Sequence, residues 1–355
     1  MSSAQLGGRQ GLASRALHSR LFWPIVTLLA LFALNVIVSP SFLAIRVHDG
    51  HLFGSLIDIL RNGAPTLLVA LGMTVVIATR GIDLSVGAVV AIAGALACTI
   101  IADSPDPGSV ATVVTAVAVA LGFSLLLGAW NGLLVAALGI QPIIATLILM
   151  TAGRGIAMLI TEGQIITVSS PAYKVIGGGY WLGLPASIII AGGMFIVAAL
   201  LTRRTALGLL IESVGINPAA SRLAGVRARS ITWTVYIFSG LCAGVAGLMI
   251  SSNVTAADAN NAGLWIEMDA ILAVVIGGTS LMGGRYSLTG TLVGAFIIQT
   301  LTTTVYTIGI APEITLVFKA LVVIAVCLLQ SPAMRERMRR RARTTTPATA
   351  KAVAS

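Results

Sequence analysis

Charge is scarce in this chain. Only 10% of its 355 residues are Asp, Glu, Lys or Arg, against about 25% in an ordinary soluble domain. That shortage excludes a conventional water-facing globule, and a mean hydropathy of +0.99 points to repeated apolar runs of about 20 residues, each long enough to cross a bilayer. Cysteine is rare as well. Cys98, Cys242 and Cys327 all fall within apolar runs with no C-x-x-C spacing, so they read as small buried hydrophobes, and neither a disulfide framework nor a metal site is implied. The three histidines, His18, His48 and His51, lie outside the long runs. This disfavours a Ser–His intramembrane hydrolase and a His-ligated metal, and no H-E-x-x-H occurs. There is no G-x-x-x-x-G-K-[ST] and no Gly-Lys pair. The chain therefore has no P-loop with which to hold ATP. The net charge of +10 does not imply nucleic acid, because the basic residues sit in short segments beside apolar runs, where orientation and lipid headgroups account for them.

What is present fits an all-α polytopic membrane protein of about ten transmembrane helices. Residues 1–20 are polar, with Arg9, Arg15 and Arg20. No small-x-small cleavage site closely follows the first run, 21–38, so it reads as a retained span rather than a signal peptide. Residues 52–62 set Leu52, Phe53, Leu56, Ile57 and Leu60 on one helical face and read as an amphipathic lead-in to a short second span, 64–79. The spans that follow are 82–102, 110–138 (interrupted near residues 128–132), 142–160, 186–202, 231–250, 268–282, 288–308 and 314–330. Residues 21–330 form the membrane domain on this reading, and 331–355 form a basic tail expected to be disordered. The 38 glycines suit close helix packing in lipid.

Charge fixes the expected orientation. With the N-terminus inside and ten crossings, the inside segments hold Arg9, Arg15, Arg20, Arg80, Arg203, Arg204, Arg222, Arg227, Arg229, Arg285, the tail arginines and Lys351. The outside loops hold only Arg46 and Lys174. The bias predicts N-in and C-in. It also puts residues 203–230 in the cytoplasm as the longest polar-rich interruption of the second half. Within it Asn217 is placed to cap a short helix, Pro218 suits its first position, and Gly225 suits its end. A short, capped, basic helix between spans is a handle for a soluble partner.

Charges in or near the spans are Asp58, Arg61, Asp83, Arg154, Asp269 and Lys319, and each is a functional candidate because its burial is costly. The plainer readings stand beside this one. Asp58 and Arg61 are spaced to pair at the surface. Asp83 sits where a helix starts, so capping explains it as well as transport does. Arg154 lies between Gly153 and Gly155, which places it at a helix break. Lys319 is within reach of snorkelling to the interface. Asn131, Gln141, Asn260, Asn261 and Trp265 are polar or amphipathic groups at span breaks or ends. Their amides suit sugar hydroxyls, and they equally suit capping and interfacial anchoring. Ser239-Gly240 reads as small-residue packing.

A weak internal repeat aligns IDL…AVVAIAG (82–94) with IEM…LAVVIGG (266–278) without gaps. The two copies begin on opposite sides of the predicted membrane, as in an inverted repeat of spans two to five and seven to ten.

Three segments in order, GIDLSVG at 81–87, GINPAA…AGV at 215–226 and DAILAVVIGG at 269–278 followed by Gly283-Gly284, resemble permease subunits of bacterial ABC sugar importers of the ribose, xylose and arabinose type. The resemblance covers residues 20–330. IQPIIATLILM at 140–150 and DANNAGLW at 258–265 are most similar to the galactofuranose importer permeases. The chain departs from the pattern at Arg80, where a small residue is expected. The resemblance implies a multi-pass inner-membrane subunit that is not itself an enzyme and carries no cofactor, ATP and Mg being held by cytoplasmic ATPase partners. It implies an extracytoplasmic sugar-binding protein and a second permease, either an identical copy or a related chain. It also implies that Gly215, Asn217, Pro218, Ala219, Ala220, Arg222 and Gly225 form the helix that couples to the ATPase. Asp83, Asn131, Gln141, Arg154, Asn260, Asn261 and Trp265 are the pathway or gating candidates. An ion-gradient-driven secondary transporter is the competing expectation.

Overall fold

The computed structural model describes residues 21–48, 50–309 and 314–330. The expectations for the tails, 1–20 and 331–355, fall outside the described residues. The described chain is mainly helical. Its elements are α1 (Phe22–Val38), the β1 (Arg46–His48) and β2 (His51–Phe53) hairpin, α2 (Ser55–Ala78), α3 (Val86–Ala102), α4 (Val110–Ala136), α5 (Pro142–Ile160), β3 (Ile166–Thr167) and α6 (Pro171–Gly177). A second hairpin, β4 (Tyr180–Trp181) with β5 (Leu184–Pro185), leads to α7 (Ala186–Arg204), α8 (Leu207–Ile216) and α9 (Pro218–Leu223). The chain continues through α10 (Ala228–Val254), β6 (Ala256–Ala257), α11 (Ile266–Ile276), α12 (Leu288–Ile308) and α13 (Thr315–Gln330). Each predicted span contains a helix, although residues 82–85 and 277–282 lie outside it. Among the described residues six helices, α2, α4, α5, α7, α10 and α12, are long and apolar enough to cross a membrane, as a polytopic membrane protein requires.

Two helices form the centre. α10 packs on α4, α2 and α3, and α2 packs on α12, α11 and α7. Small residues bring α10 in. A Cβ at Gly247 would lie 2.3 Å from the Val90 carbonyl oxygen of α3, and one at Gly128 of α4 would lie 2.6 Å from the Tyr236 carbonyl oxygen. Such approach lets dispersion and backbone contacts hold helices where lipid offers no hydrophobic drive between them.

Several boundaries differ from expectation. α2 is one helix from Ser55 through Pro65, not an amphipathic lead-in joined to a short span, while Leu52 and Phe53 belong to β2. Burial on all sides from Gly63 to Ala78 holds the helix together across the proline. α4 runs unbroken through Gly128 and Gly132, because those glycines serve contact with α10 rather than a break. Likewise α5 is continuous at Arg154. α3 begins at Val86, leaving residues 81–85 non-helical. α11 stops at Ile276, where Gly277 lies so close to Gly290 that a Cβ would be 2.4 Å from its carbonyl carbon. The 203–230 stretch holds two helices, not one.

Candidate functional sites

Asn217 does what its position predicts. Its backbone is extended, with φ −155°, and its Oδ1 accepts from the amides of Ala219 and Ala220, both at 3.0 Å. Pro218 occupies the first turn, where its missing N–H costs nothing. At the far end the amide of Val226 donates to the Ser221 carbonyl at 2.9 Å, and Gly225 takes φ +84°. The result is a closed six-residue helix that presents Ala219, Ala220, Arg222 and a 92%-exposed Leu223 outward. Beside it, α8 buries Gly208, Ile211, Val214 and Gly215. Its apolar spacing (Leu207, Leu210, Ile211, Val214) was available in the sequence but is masked by the arginines around it.

Asp83 is buried in the non-helical 81–85 segment and is fully engaged. Its Oδ1 accepts from the Ser85 amide at 3.1 Å and the Ser85 hydroxyl at 2.6 Å, and its Oδ2 accepts from the Ser239 hydroxyl of α10 at 2.8 Å. Asn131, also buried, donates through Nδ2 to Ser85 Oγ at 2.8 Å. Asp83 thus ties the 81–85 segment to α10 and, through Ser85, to α4. Asn131 lies inside α4 rather than at a span break, and Asp83 is not a helix cap: Ser85 precedes α3 without a side-chain cap bond. Ser239, read from sequence as packing, is both a hydrogen-bond donor and a close contact of Gly72, at which a Cβ would lie 2.8 Å from the Ser239 Cα. No spacing rule connects residues 83 and 239.

A second assembly surrounds the 258–265 loop. Arg154 Nη1 donates to the carbonyls of Ala259 at 3.0 Å and Ala262 at 2.6 Å. Asp258 folds the loop from within, accepting from the amides of Asn260 and Asn261 and from Asn261 Nδ2 at 2.7 Å. The Asn261 side-chain bond, more than any other contact, holds the Asp258 carboxyl below its usual range. The loop ends on Trp265, 49% exposed and left-handed at φ +66°, a conformation that bulky residues keep only when their surroundings enforce it. Behind it the buried Glu267 carboxylate lies against Gly87 in the first turn of α3, the helix end that favours an anion. Arg154, Asn260, Asn261 and Trp265 therefore belong together. Gln141 does not join them: it is exposed ahead of α5 and makes no side-chain cap bond.

Lys319, Asp269 and Arg61 also find partners. Lys319 does not snorkel away; its Nζ reaches both Asp269 oxygens, at 2.8 and 3.1 Å, linking α13 to α11. Arg61 donates to Asn253 Oδ1 of α10 rather than pairing with Asp58, which is exposed. Among the described residues no group of three or more His, Cys, Asp or Glu is placed to hold a metal.

With this geometry, likeness to known proteins becomes informative. The chain is 52% identical over 317 residues to the galactofuranose transporter permease protein of Escherichia coli (strain K12), covering 88% of this chain and 91% of that one. It is 44% identical to the fructose import permease protein of Bifidobacterium longum, covering 90% and 89%. It is 35% identical to the ribose import permease protein of Escherichia coli (strain K12), covering 86% and 92%. No solved structure matches it significantly. A family model described as branched-chain amino acid transport system / permease component matches residues 55–327, and together with these relatives it establishes that the chain belongs to that family of multi-pass transporter permeases.

Proposed function

We propose that this chain is the transmembrane permease subunit of an ATP-driven, binding-protein-dependent sugar importer. It crosses the inner membrane ten times with both ends inside and carries galactofuranose or a related pentose or hexose. The observation that carries this reading is the 52% identity to a galactofuranose permease across nearly the full length of both chains; fructose and ribose permeases follow at 44% and 35%. α9 is the contact for a cytoplasmic ATPase pair that holds the ATP and Mg. Its capped geometry and outward Leu223 suit insertion into a groove on such a partner. A second permease copy or a related chain completes the pathway, and a soluble sugar-binding protein delivers substrate from outside. The partner packing supports a repeat: α2 packs on α12 as α10 packs on α4, the third helix of each set meeting the first of the other. Asp83, Asn131, Gln141 and the assembly of Arg154 with Asn260, Asn261 and Trp265 are the gating and pathway candidates.

Reconstitution tests the reading. The chain is placed in proteoliposomes with its ATPase and binding protein and offered galactofuranose, fructose and ribose. Uptake of one of them is expected to require ATP and the binding protein and to survive an ionophore. Uptake by the chain alone in a proton or sodium gradient overturns it.

A further inference from the structure

The end of α2 is closed by a Schellman turn with an unusual occupant. Arg80 donates its amide to the Ile77 carbonyl at 2.9 Å, and Gly81 donates to the Val76 carbonyl at 3.0 Å, with Arg80 left-handed at φ +66°. Glycine normally fills this position, because a Cβ makes the left-handed conformation costly. An arginine persists there when its side chain is held elsewhere. Arg80 Nη2 donates to the Ile216 carbonyl at 2.5 Å. Ile216 ends α8, and the next residue is the Asn217 cap of α9. A cation on the last carbonyl of a helix is favoured by the dipole and forms a charge-assisted bond.

The stem of Arg80 lies over the 277–287 turn, so that a Cβ at Gly283 would be 2.4 Å from Arg80 Cγ. Beneath it the Ala78 carbonyl accepts from the Gly284 amide at 2.8 Å. The same carbonyl presses on α8 closely enough that a Cβ at Gly215 would be 1.8 Å away. The end of α2, the end of α8 and the 277–287 turn therefore meet at one joint, and the Arg80 side chain crosses it. Three residues further on, Asp83 is bonded to α10 and, through Ser85, to α4.

We propose that Arg80 is a positioning residue for energy coupling. Its guanidinium locks the α8–α9 turn to the end of α2, and displacement of α9 passes through residues 80–83 to α10 and α4. This rests on the reading of α9 as the ATPase contact. A joint held only by backbone packing would let α9 move without carrying the core with it, and ATP would be spent without transport.

Arg80→Gly separates this role from a structural one. Glycine suits φ +66° and keeps both backbone bonds, so the variant is expected to fold and assemble at least as well as the parent while losing the guanidinium. In the proteoliposomes described above, sugar moved per ATP hydrolysed is expected to fall about tenfold, a typical size for a lost coupling interaction, and Arg80→Lys is expected to restore part of it. Nitroxide labels on Leu209→Cys of α8 and Met282→Cys, both strongly exposed and both outside the α9 contact, read the joint without any sugar. Under ATP and vanadate the parent is expected to give one narrow distance distribution and Arg80→Gly a broad one. A parent complex that moves none of the three sugars sinks the importer reading and this proposal with it. A parent-like transport ratio and a parent-like distance distribution in Arg80→Gly sink the proposal alone.

Discussion

Asp83 shows how a single carboxylate organises residues that the sequence keeps far apart. Both oxygens are occupied by hydroxyl and amide donors from Ser85 and Ser239, so removing the carboxylate leaves buried hydroxyls without an acceptor. Asp83→Ala is expected to cost about 1–3 kcal/mol for each group left unsatisfied, read as a lowered midpoint of thermal unfolding in detergent. Asp83→Asn keeps an acceptor oxygen for Ser85, and the Ser239 hydroxyl can rotate to accept from the new amide, so its loss should be less than half as large. Equal midpoints for the parent and both variants would mean the network stabilises nothing. That Asp83 matters was legible, since a lone acid in an apolar chain stands out. Its partners were not: Ser239 is one of many small residues in a span, and only the fold brings it 156 positions back to residue 83. The same holds for Arg154, whose bonds go to backbone carbonyls that no side-chain pattern announces.

At the scale of elements, the apolar runs foretold the helices and the glycines decided how they pack. The expected break in α4 failed because Gly128 and Gly132 give up side chains so that α10 can approach, a role indistinguishable in sequence from helix breaking. The early end of α11 was hidden for a related reason, since Gly277 and Gly278 lie inside an apolar stretch that reads as continuous span. Asn217 was legible because capping is local, acting within three residues. The contact between α3 and α10 gives the sharpest test. Any side chain at Gly247 meets the α3 backbone at Val90, and backbone cannot rotate aside. Gly247→Val is expected to destabilise by about 1–3 kcal/mol or more, the usual range for overpacking. It should appear as aggregated or early-melting protein in fluorescence-detected size exclusion. Gly192→Val, whose site on α7 has nothing within 4 Å, should behave as the parent. Equal behaviour of the two variants would remove the close contact as a design element.

For the whole molecule, the arginine distribution makes a prediction about sidedness that neither the helices nor the relatives supply. Moving basic residues across the membrane during insertion is unfavourable, so they accumulate on the inner side. Arg203, Arg204, Arg222, Arg227 and Arg229 all cluster around α8 and α9, whereas the 161–185 region between α5 and α7 carries only Lys174. Those two regions are separated by α7, which is long and apolar enough to cross; a crossing there puts them on opposite sides, and the arginines choose which. Two exposed leucines mark them: Leu182 in the β4–β5 hairpin, 99% exposed, and Leu223 at the end of α9, 92% exposed. In a cysteine-free background (Cys98→Ala, Cys242→Ala and Cys327→Ala), a membrane-impermeant maleimide should label Leu182→Cys in intact spheroplasts. It should label Leu223→Cys only after permeabilisation. The reverse pattern would turn the molecule over and place α9 beyond the reach of any cytoplasmic ATPase. Labelling of both sites in intact spheroplasts would mean that α7 does not cross.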